Sequence, residues 1–381
     1  MGAIVEEFKG FEASFIRLAV GIYIPPIKCL SAKRGDSPRM PFGIHTARLR
    51  IAWAARRDRL ADVEGERHTP FMKRAILMAL IGWGAVHGRL GQAAESTTNG
   101  VTAASILAAT AAADWRLLDW ENTLVMDLER GRVVIELAPG LAPKHVANIK
   151  ALARERYYDG LAIIRVQDNY VVQWGDPDAE DPHKARPIHR AQRHLPAELE
   201  FRLPNESAFK PLPDGDVYAP QVGFFEGFPV ACDPQTGTYW PIHSYGMVGA
   251  GRDDSLDSGG GTEIYVVNGQ APRHLDRNVT LFGRVVQGME LLSALPRGTG
   301  PMGFYEKPSE RISIRFIRVA ADLPETERPT LGILRTDHET FRRWVEARRN
   351  RREPWFHRAA GKIDISNLPI PTRTPPTKIQ R

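Results

Sequence analysis

The sequence predicts a mainly β domain followed by a basic helical tail. Two paired runs carry the β expectation. Residues 122–126 and 133–137 are apolar and β-rich, and Glu129-Arg130-Gly131-Arg132 between them signals a hairpin. Residues 163–166 and 170–175 flank Asp168-Asn169, a pair that readily supplies turn conformations. The tail expectation rests on Thr336-Asp337-His338-Glu339, a capping box, ahead of Phe341, Trp344 and Val345 at helical spacing.

Before the β region, Met72-Lys73-Arg74 opens a pattern of its own. The apolar run at 75–86 is too short to span a bilayer comfortably, and Gly91-Gln92-Ala93 places small residues before Ala94. This is the layout of a secretory signal peptide. It puts the initiator at Met72 and the signal at 72–93, with 1–71 as upstream sequence or an unstructured extension. The alternative is a genuine extension with a buried helix at 75–86. A chain starting at Ala94 is expected in the periplasm or outside the cell; without the signal it is cytoplasmic. Residues 94–121 read as a leader, and Ala111-Ala112-Ala113 is an alternative cleavage site. No other segment is long and apolar enough for an integral membrane span.

The 381 residues leave room for one large or two modest domains. The net charge of +6 divides unevenly: +4 over 1–71, +3 over 72–93, −7 over 94–322 and +6 over 323–381. An acidic body with basic ends argues against nucleic-acid binding by the core. Cys29 and Cys232 are too few for a disulfide framework or a structural zinc site.

Pro143 opens a helix whose Val146, Ile149, Leu152 and Ala153 form an apolar face, ending before Tyr157-Tyr158-Asp159-Gly160. Arg165 then interrupts an apolar run. A charge is costly to bury unpaired, so Arg165 is either a paired, half-exposed strand residue or a functional one. Alternation sets Val171 and Gln173 on one face of the next strand. There Arg165 and Gln173 can present donors to a neutral polar ligand in an apolar cleft. Residues 178–246 are long and irregular. His183, His189, His194 and His243 fit no zinc spacing and read as solvated loop residues. The polar run 253–261 fails as a calcium loop, with Ser258 where glycine is needed and Ile264 where glutamate is needed. Gly249 and Gly251 lack the third glycine of a dinucleotide fingerprint.

Ile163-Ile164-Arg165-Val166 and Tyr170-Val171-Val172-Gln173-Trp174-Gly175-Asp176 resemble the F-H-R-V and F-M-x-Q-G-G-D elements of cyclophilin-type peptidyl-prolyl isomerases. Trp174 replaces the first glycine of that motif. Residues 133–137, Ala142-Pro143 and Asn148 fall where the family has I-x-I-E-L, A-P and N-F. Residues 246–251 resemble S-M-A-N-A-G, 262–266 S-Q-F-F-I, His274-Leu275-Asp276 W-L-D, and 281–289 V-F-G-x-V-x-x-G-M. The resemblance covers about half the chain, in family order. It implies a closed eight-stranded antiparallel barrel at 122–322, capped by two helices and closed by 312–319. A long inserted loop at 178–246 interrupts it, with 196–201 as its one strand-like stretch. A basic helix and a Pro/Thr-rich tail, disordered over 365–381, fill 323–381.

The resemblance also implies isomerisation of X-Pro bonds in proline-containing polypeptides, here exported ones, without metal, cofactor or nucleophile. The amide barrier is about 18–20 kcal/mol because the nitrogen lone pair is delocalised. A guanidinium that donates to the nitrogen only in the twisted state lowers it by differential binding. Arg165 takes that role and Gln173 holds the substrate carbonyl. Tyr170, Val171, Tyr265 and Leu275 form the proline pocket, with His274 at its rim. Val248, Gly249 and Ala250 offer backbone to the substrate by strand addition. Three departures alter polar contacts: Glu263 stands where the family has Gln, Gly249 where it has Asn, and Val279 where it has His. They leave a second reading open, a catalytically weak or inactive proline-peptide-binding module of the cell envelope. The tail arginines, Arg342, Arg343, Arg348, Arg349, Arg351 and Arg352, read as the solvated side of a helix laid on the acidic body, or as a dock for an acidic partner or anionic membrane surface.

Overall fold

The computed structural model describes residues 101–179, 181 and 183–375. The expectations for 1–71, for the signal peptide at 72–93 and for 376–381 lie outside the described residues.

The chain enters through α1 (Ala103–Ala108) and β1 (Trp115–Leu117). β2 (Thr123–Leu128) and β3 (Gly131–Leu137) form the expected hairpin, α2 (Pro143–Arg154) the expected helix, and β4 (Ala162–Val166) and β5 (Tyr170–Gly175) the expected pair. Next come β6 (Lys210–Pro211), β7 (Gln221–Phe225), β8 (Phe228–Asp233) and β9 (Thr238–Pro241). β10 (Met247–Ala250), β11 (Ile264–Asn268), β12 (Leu281–Gln287), α3 (Met289–Ser293) and β13 (Ile312–Val319) follow, then β14 (Gly332–Leu334), α4 (Glu339–Arg349) and β15 (Thr372–Arg373). Strands β10-β11-β5-β4-β13-β2-β3-β12 close an antiparallel barrel, as the resemblance implies. Alternation turns Leu124, Met126, Leu128, Val133, Ile135 and Leu137 inward. Trp174 fills the interior beside Phe282. The apolar face of α2 packs on this core, and α3 adds Leu292.

Outside the barrel the structure corrects several expectations. Residues 210–241 of the inserted segment form a four-stranded antiparallel meander, β6-β7-β8-β9. Residues 196–201 form no strand, only a single bridge from Phe201 to Tyr239. The irregular part before the meander has carboxylates for partners instead of a ladder. Glu155 accepts the backbone N–H groups of His189 and Ala191 at 2.9 and 2.7 Å, and Asp176 those of Asp178 and Arg186 at 3.0 and 2.6 Å. This satisfies the backbone of an irregular segment without secondary structure. One face of the meander (Phe225, Phe228, Val230, Cys232, Tyr239) packs on Met247, Val267 and Leu281, on the outside of β10, β11 and β12.

The other face receives the tail. Phe341, Trp344 and Val345 of α4 join Val222, Phe224 and Trp240, with Phe341 edge-on to Phe224 at 5.1 Å. The aromatic side of the helix is the packed one, but it lies on the inserted sheet. Arg349 grips Asp214 of the insert through bonds of 2.7 and 2.6 Å. Thr336 caps nothing: the helix starts after His338, and Asp114 accepts the Thr340 hydroxyl at 2.6 Å. Residues 365–375 are placed, not disordered. Ile365 and Leu368 are buried and β15 pairs with β14. The described part of the expected leader, from residue 101, is also built in, since β1 pairs with β14 and Ile106 joins the same core.

Beneath the insert, Glu136 on β3 accepts from Arg284 Nε and Nη2 on β12, both at 3.0 Å, and pairs with Arg116 at 2.5 Å. The Glu136 and Arg284 side chains are only 7% and 9% exposed. Glu136→Ala strands a buried guanidinium, and denaturant unfolding is expected to show a loss of about 3–5 kcal/mol. A loss below about 1 kcal/mol means that water or Arg116's neighbours replace the carboxylate.

Candidate functional site

A bulge builds the site. Ile163 pairs with Trp174, yet Arg165 pairs with Gln173, so one residue of β4 has no opposite number. Ile163 and Val166 both reach the barrel core. Strict alternation would send Arg165 inward beside Ile163; the extra residue turns it outward. Val171 and Gln173 face the same way, as the alternation predicts. Asn169 closes the β4–β5 turn at φ 51, a left-handed conformation that Asn tolerates.

The barrel register then sets one row across four strands. Arg165 lies opposite Gln173, Gln173 opposite Tyr265, and Tyr265 opposite Gly249. Arg165 Nη1 donates to Gln173 Oε1 at 3.1 Å, and Gln173 Nε2 donates to Glu263 Oε2 at 2.6 Å. The two partners define the amide orientation: reversing it would face N–H to guanidinium and oxygen to carboxylate. Arg165 Nε donates to Met302 O at 2.8 Å, and Nη2 donates to Gln167 Oε1. The guanidinium carbon lies 5.6 Å from the Tyr170 ring centroid and 5.2 Å from that of Phe304. Burial lowers the Arg165 pKa, against the pull of Tyr170 and Glu263. Three of its five N–H donors are engaged, which leaves two for a ligand.

The remaining pocket residues surround this row. Val171 and Tyr265 are buried, Tyr170 and Leu275 half-buried. His274 is exposed, its ring parallel to Tyr170 at 6.4 Å. Val248 and Ala250 point into the barrel core, so only their backbone can face a ligand. Strand addition meets an obstacle, because β10 already pairs with β11 and with β12. A peptide can reach its backbone only where the β12 ladder slips, between Val248 and Gly249. Val279 packs at the edge of the core shared with the insert.

Sequence reasoning missed several groups. Gln167, Met302 and Phe304 hold Arg165, and only Gln167, just past the end of β4, was within reach of pattern reading. His243, read as a solvated loop residue, is fully buried. Its Nδ1 donates to Asp276 Oδ1 at 2.9 Å, and its Nε2 accepts from Tyr265 Oη at 2.8 Å. Burial holds this imidazole below its ordinary pKa despite Asp276, so the ring is neutral and this tautomer satisfies both partners. The Tyr265 ring lies where a Cβ on Gly249 would be, 2.4 Å from Cζ and Oη. The glycine that replaces asparagine is therefore matched to the tyrosine opposite.

The family model described as cyclophilin type peptidyl-prolyl cis-trans isomerase matches residues 123–319, about half of the chain. A Brucella suis protein named as a peptidyl-prolyl cis-trans isomerase is 52% identical over 58 residues, covering 15% of this chain and 30% of that protein. A Synechocystis protein named as a thylakoid lumen peptidyl-prolyl cis-trans isomerase is 24% identical over 183 residues, 46% of this chain and 44% of that one. The chain thus spans between about a third and a half of these curated relatives. The crystal structure of the cyclophilin AquaCyp293 from Hirschia baltica aligns with a TM-score of 0.56 at 25% identity, over 71% of this chain and 96% of that one. This overlap reaches beyond the barrel segment.

Gly249→Ala is expected to cost about 1–3 kcal/mol in chemical unfolding, because Tyr265 is pinned at its hydroxyl and cannot swing aside. Combining it with Tyr265→Leu should recover most of the loss. An additive pair would mean that the ring is not the obstacle.

Proposed function

The chain belongs to the cyclophilin family, and on that premise we propose that it is a peptidyl-prolyl cis-trans isomerase. The observation that carries this reading is the Arg165–Gln173 pair on the barrel's outer face, with two guanidinium N–H groups still free. In the planar amide the prolyl nitrogen has no lone pair to offer; in the twisted amide it does. Arg165 stabilises the second state and not the first, which is transition-state binding without covalent chemistry. Arginine suits this task because it stays cationic even when half-buried. Gln173, with one amide N–H held by Glu263, keeps the other for the substrate carbonyl. Tyr170, Val171, Tyr265 and Leu275 offer the apolar surface on which the proline ring rests.

Glu263, Gly249 and Val279 support a second reading, a proline-peptide-binding module of low activity. In it Glu263 restrains the Gln173 amide and the pocket binds without accelerating. A proline-limited peptide isomerisation assay, with and without a cyclophilin-directed cyclic peptide inhibitor, separates the two. Acceleration abolished by the inhibitor is expected, and Arg165→Ala should lower kcat/KM by roughly 10²-fold or more. An undiminished rate in that variant removes Arg165 from the mechanism. Saturable peptide binding without acceleration favours the module.

The substrates we propose are exported polypeptides met in the periplasm or outside the cell. The Met72 pattern supports this, as does the lumenal name of the Synechocystis relative. Among the described residues no helix is long and apolar enough to cross a membrane. Exposed Arg342 and Arg343 on α4 would meet an acidic partner or anionic lipid surface there. Fractionation of cells expressing the full chain checks both ideas. Periplasmic recovery with salt-releasable association is expected; cytoplasmic retention overturns the first and salt-resistant association the second.

A further inference from the structure

The inserted segment reaches the pocket through a line of buried polar groups. Arg273 donates to Asp216 of the insert at 2.7 and 3.0 Å, and to Asp276 Oδ2 at 2.5 Å. The side chains of Arg273, Asp216 and Asp276 are 4%, 3% and 6% exposed. Tyr218 of the insert covers the Arg273 guanidinium at 5.0 Å. Asp276 accepts both the backbone N–H and the Nδ1–H of His243, which comes from the end of the same insert. His243 holds the Tyr265 hydroxyl and lies nearly parallel to its ring, at 6.2 Å between centroids and 6° between planes. The insert thus grips the 273–276 loop, which carries Leu275 and His274, and the tyrosine of the cross-strand row.

We propose that the insert serves the pocket directly, with His243 as a positioning residue that fixes Tyr265 and with Asp216 as a second strut that holds the 273–276 loop through Arg273. The proposal rests on the isomerase reading and adds a reason for the insert. Val279 stands where a pocket histidine is expected, and the insert returns an imidazole to the region from another direction. His243 has no exposed surface, so it acts through Tyr265 and not on substrate. The charged and titratable groups around this unit are Asp276, Arg273 and His274, with Asp216 behind Arg273 and Tyr170 and Arg252 near Tyr265. A protonated His243 would have to donate at both nitrogens, which turns the Tyr265 hydroxyl proton away from its present partner.

The test compares His243→Phe, His243→Gln and Tyr265→Phe in the full chain, by peptide isomerisation and by binding of the cyclic peptide inhibitor. His243→Phe keeps an aromatic ring but loses both polar contacts. The glutamine variant can still accept from Tyr265 and donate to Asp276. His243→Phe is expected to raise KM and weaken inhibitor binding about three- to tenfold, the range of one hydrogen bond, with kcat changed less. Glutamine should restore most of the affinity. Tyr265→Phe should reproduce the defect and, combined with His243→Phe, add little to it. Where His243→Phe fails to fold, Tyr265→Phe alone decides, because it removes only the hydroxyl. Inhibitor affinity in Tyr265→Phe equal to wild type, or an undisturbed KM in a folded His243→Phe, overturns the proposal. In either case isomerisation by the wild-type chain leaves the isomerase reading standing. A wild-type chain that neither binds the inhibitor nor accelerates isomerisation removes that reading and the positioning role with it.

Discussion

Arg165 serves the outer face of the barrel only because the β4–β5 ladder slips by one residue. A barrel of this size is filled by inward side chains, and a guanidinium among Leu124, Ile135 and Phe282 would have no partner. The slip lets Ile163 and Val166 both stay in the core while the cation between them leaves it. Once Arg165 is outside, the register of β5, β11 and β10 places Gln173, Tyr265 and Gly249 in line with it. The site is therefore a property of strand pairing, and a shift of one residue in any of three ladders would dismantle it.

Around that row the molecule uses two kinds of rigidity. On the Arg165 side, Met302 O and the rings of Tyr170 and Phe304 hold the guanidinium in one orientation. On the Tyr265 side the restraint comes from the insert, whose meander shares an apolar core with the outside of β10 to β12. A four-stranded sheet is large enough to bury both of its faces, and its second face takes α4, α1 and the tail. The basic helix is thus a structural part of the insert, and Arg349 is committed to Asp214.

Much of the barrel was legible because its signals are local. The hairpins at 123–137 and 162–175 follow from alternation and turn residues, and the apolar face of α2 from its spacing. Arg165 and Gln173 were legible as a pair on one face, though the bulge that allows it was not, since no residue type marks Ile164 as extra. The insert was opaque for a different reason. Its strands are short and interrupted by Pro211, Pro229 and Pro241, and both faces are buried, so no polar and apolar alternation appears. Residues 101–117 read as part of a leader and 365–375 as part of a disordered tail because their partners lie far away in sequence. His243 looked solvated because a buried histidine is betrayed only by Asp276 and Tyr265, both distant in the chain.

The sheet β1-β14-β15 joins the two ends of the described chain, with Trp115 opposite Leu334 and Ile333 opposite Thr372. The β1–β14 contacts span over 200 residues, so their closure entropy comes due late and slows the last steps of folding. During synthesis the barrel strands are complete once Val319 has emerged, but the packing partner of the insert's outer face is still missing. A nascent or truncated chain ending before α4 would carry Arg165 on a finished barrel beside an insert whose outer face lacks most of its cover. The insert that holds Tyr265 and the 273–276 loop is thus itself covered in large part by the residues that emerge last.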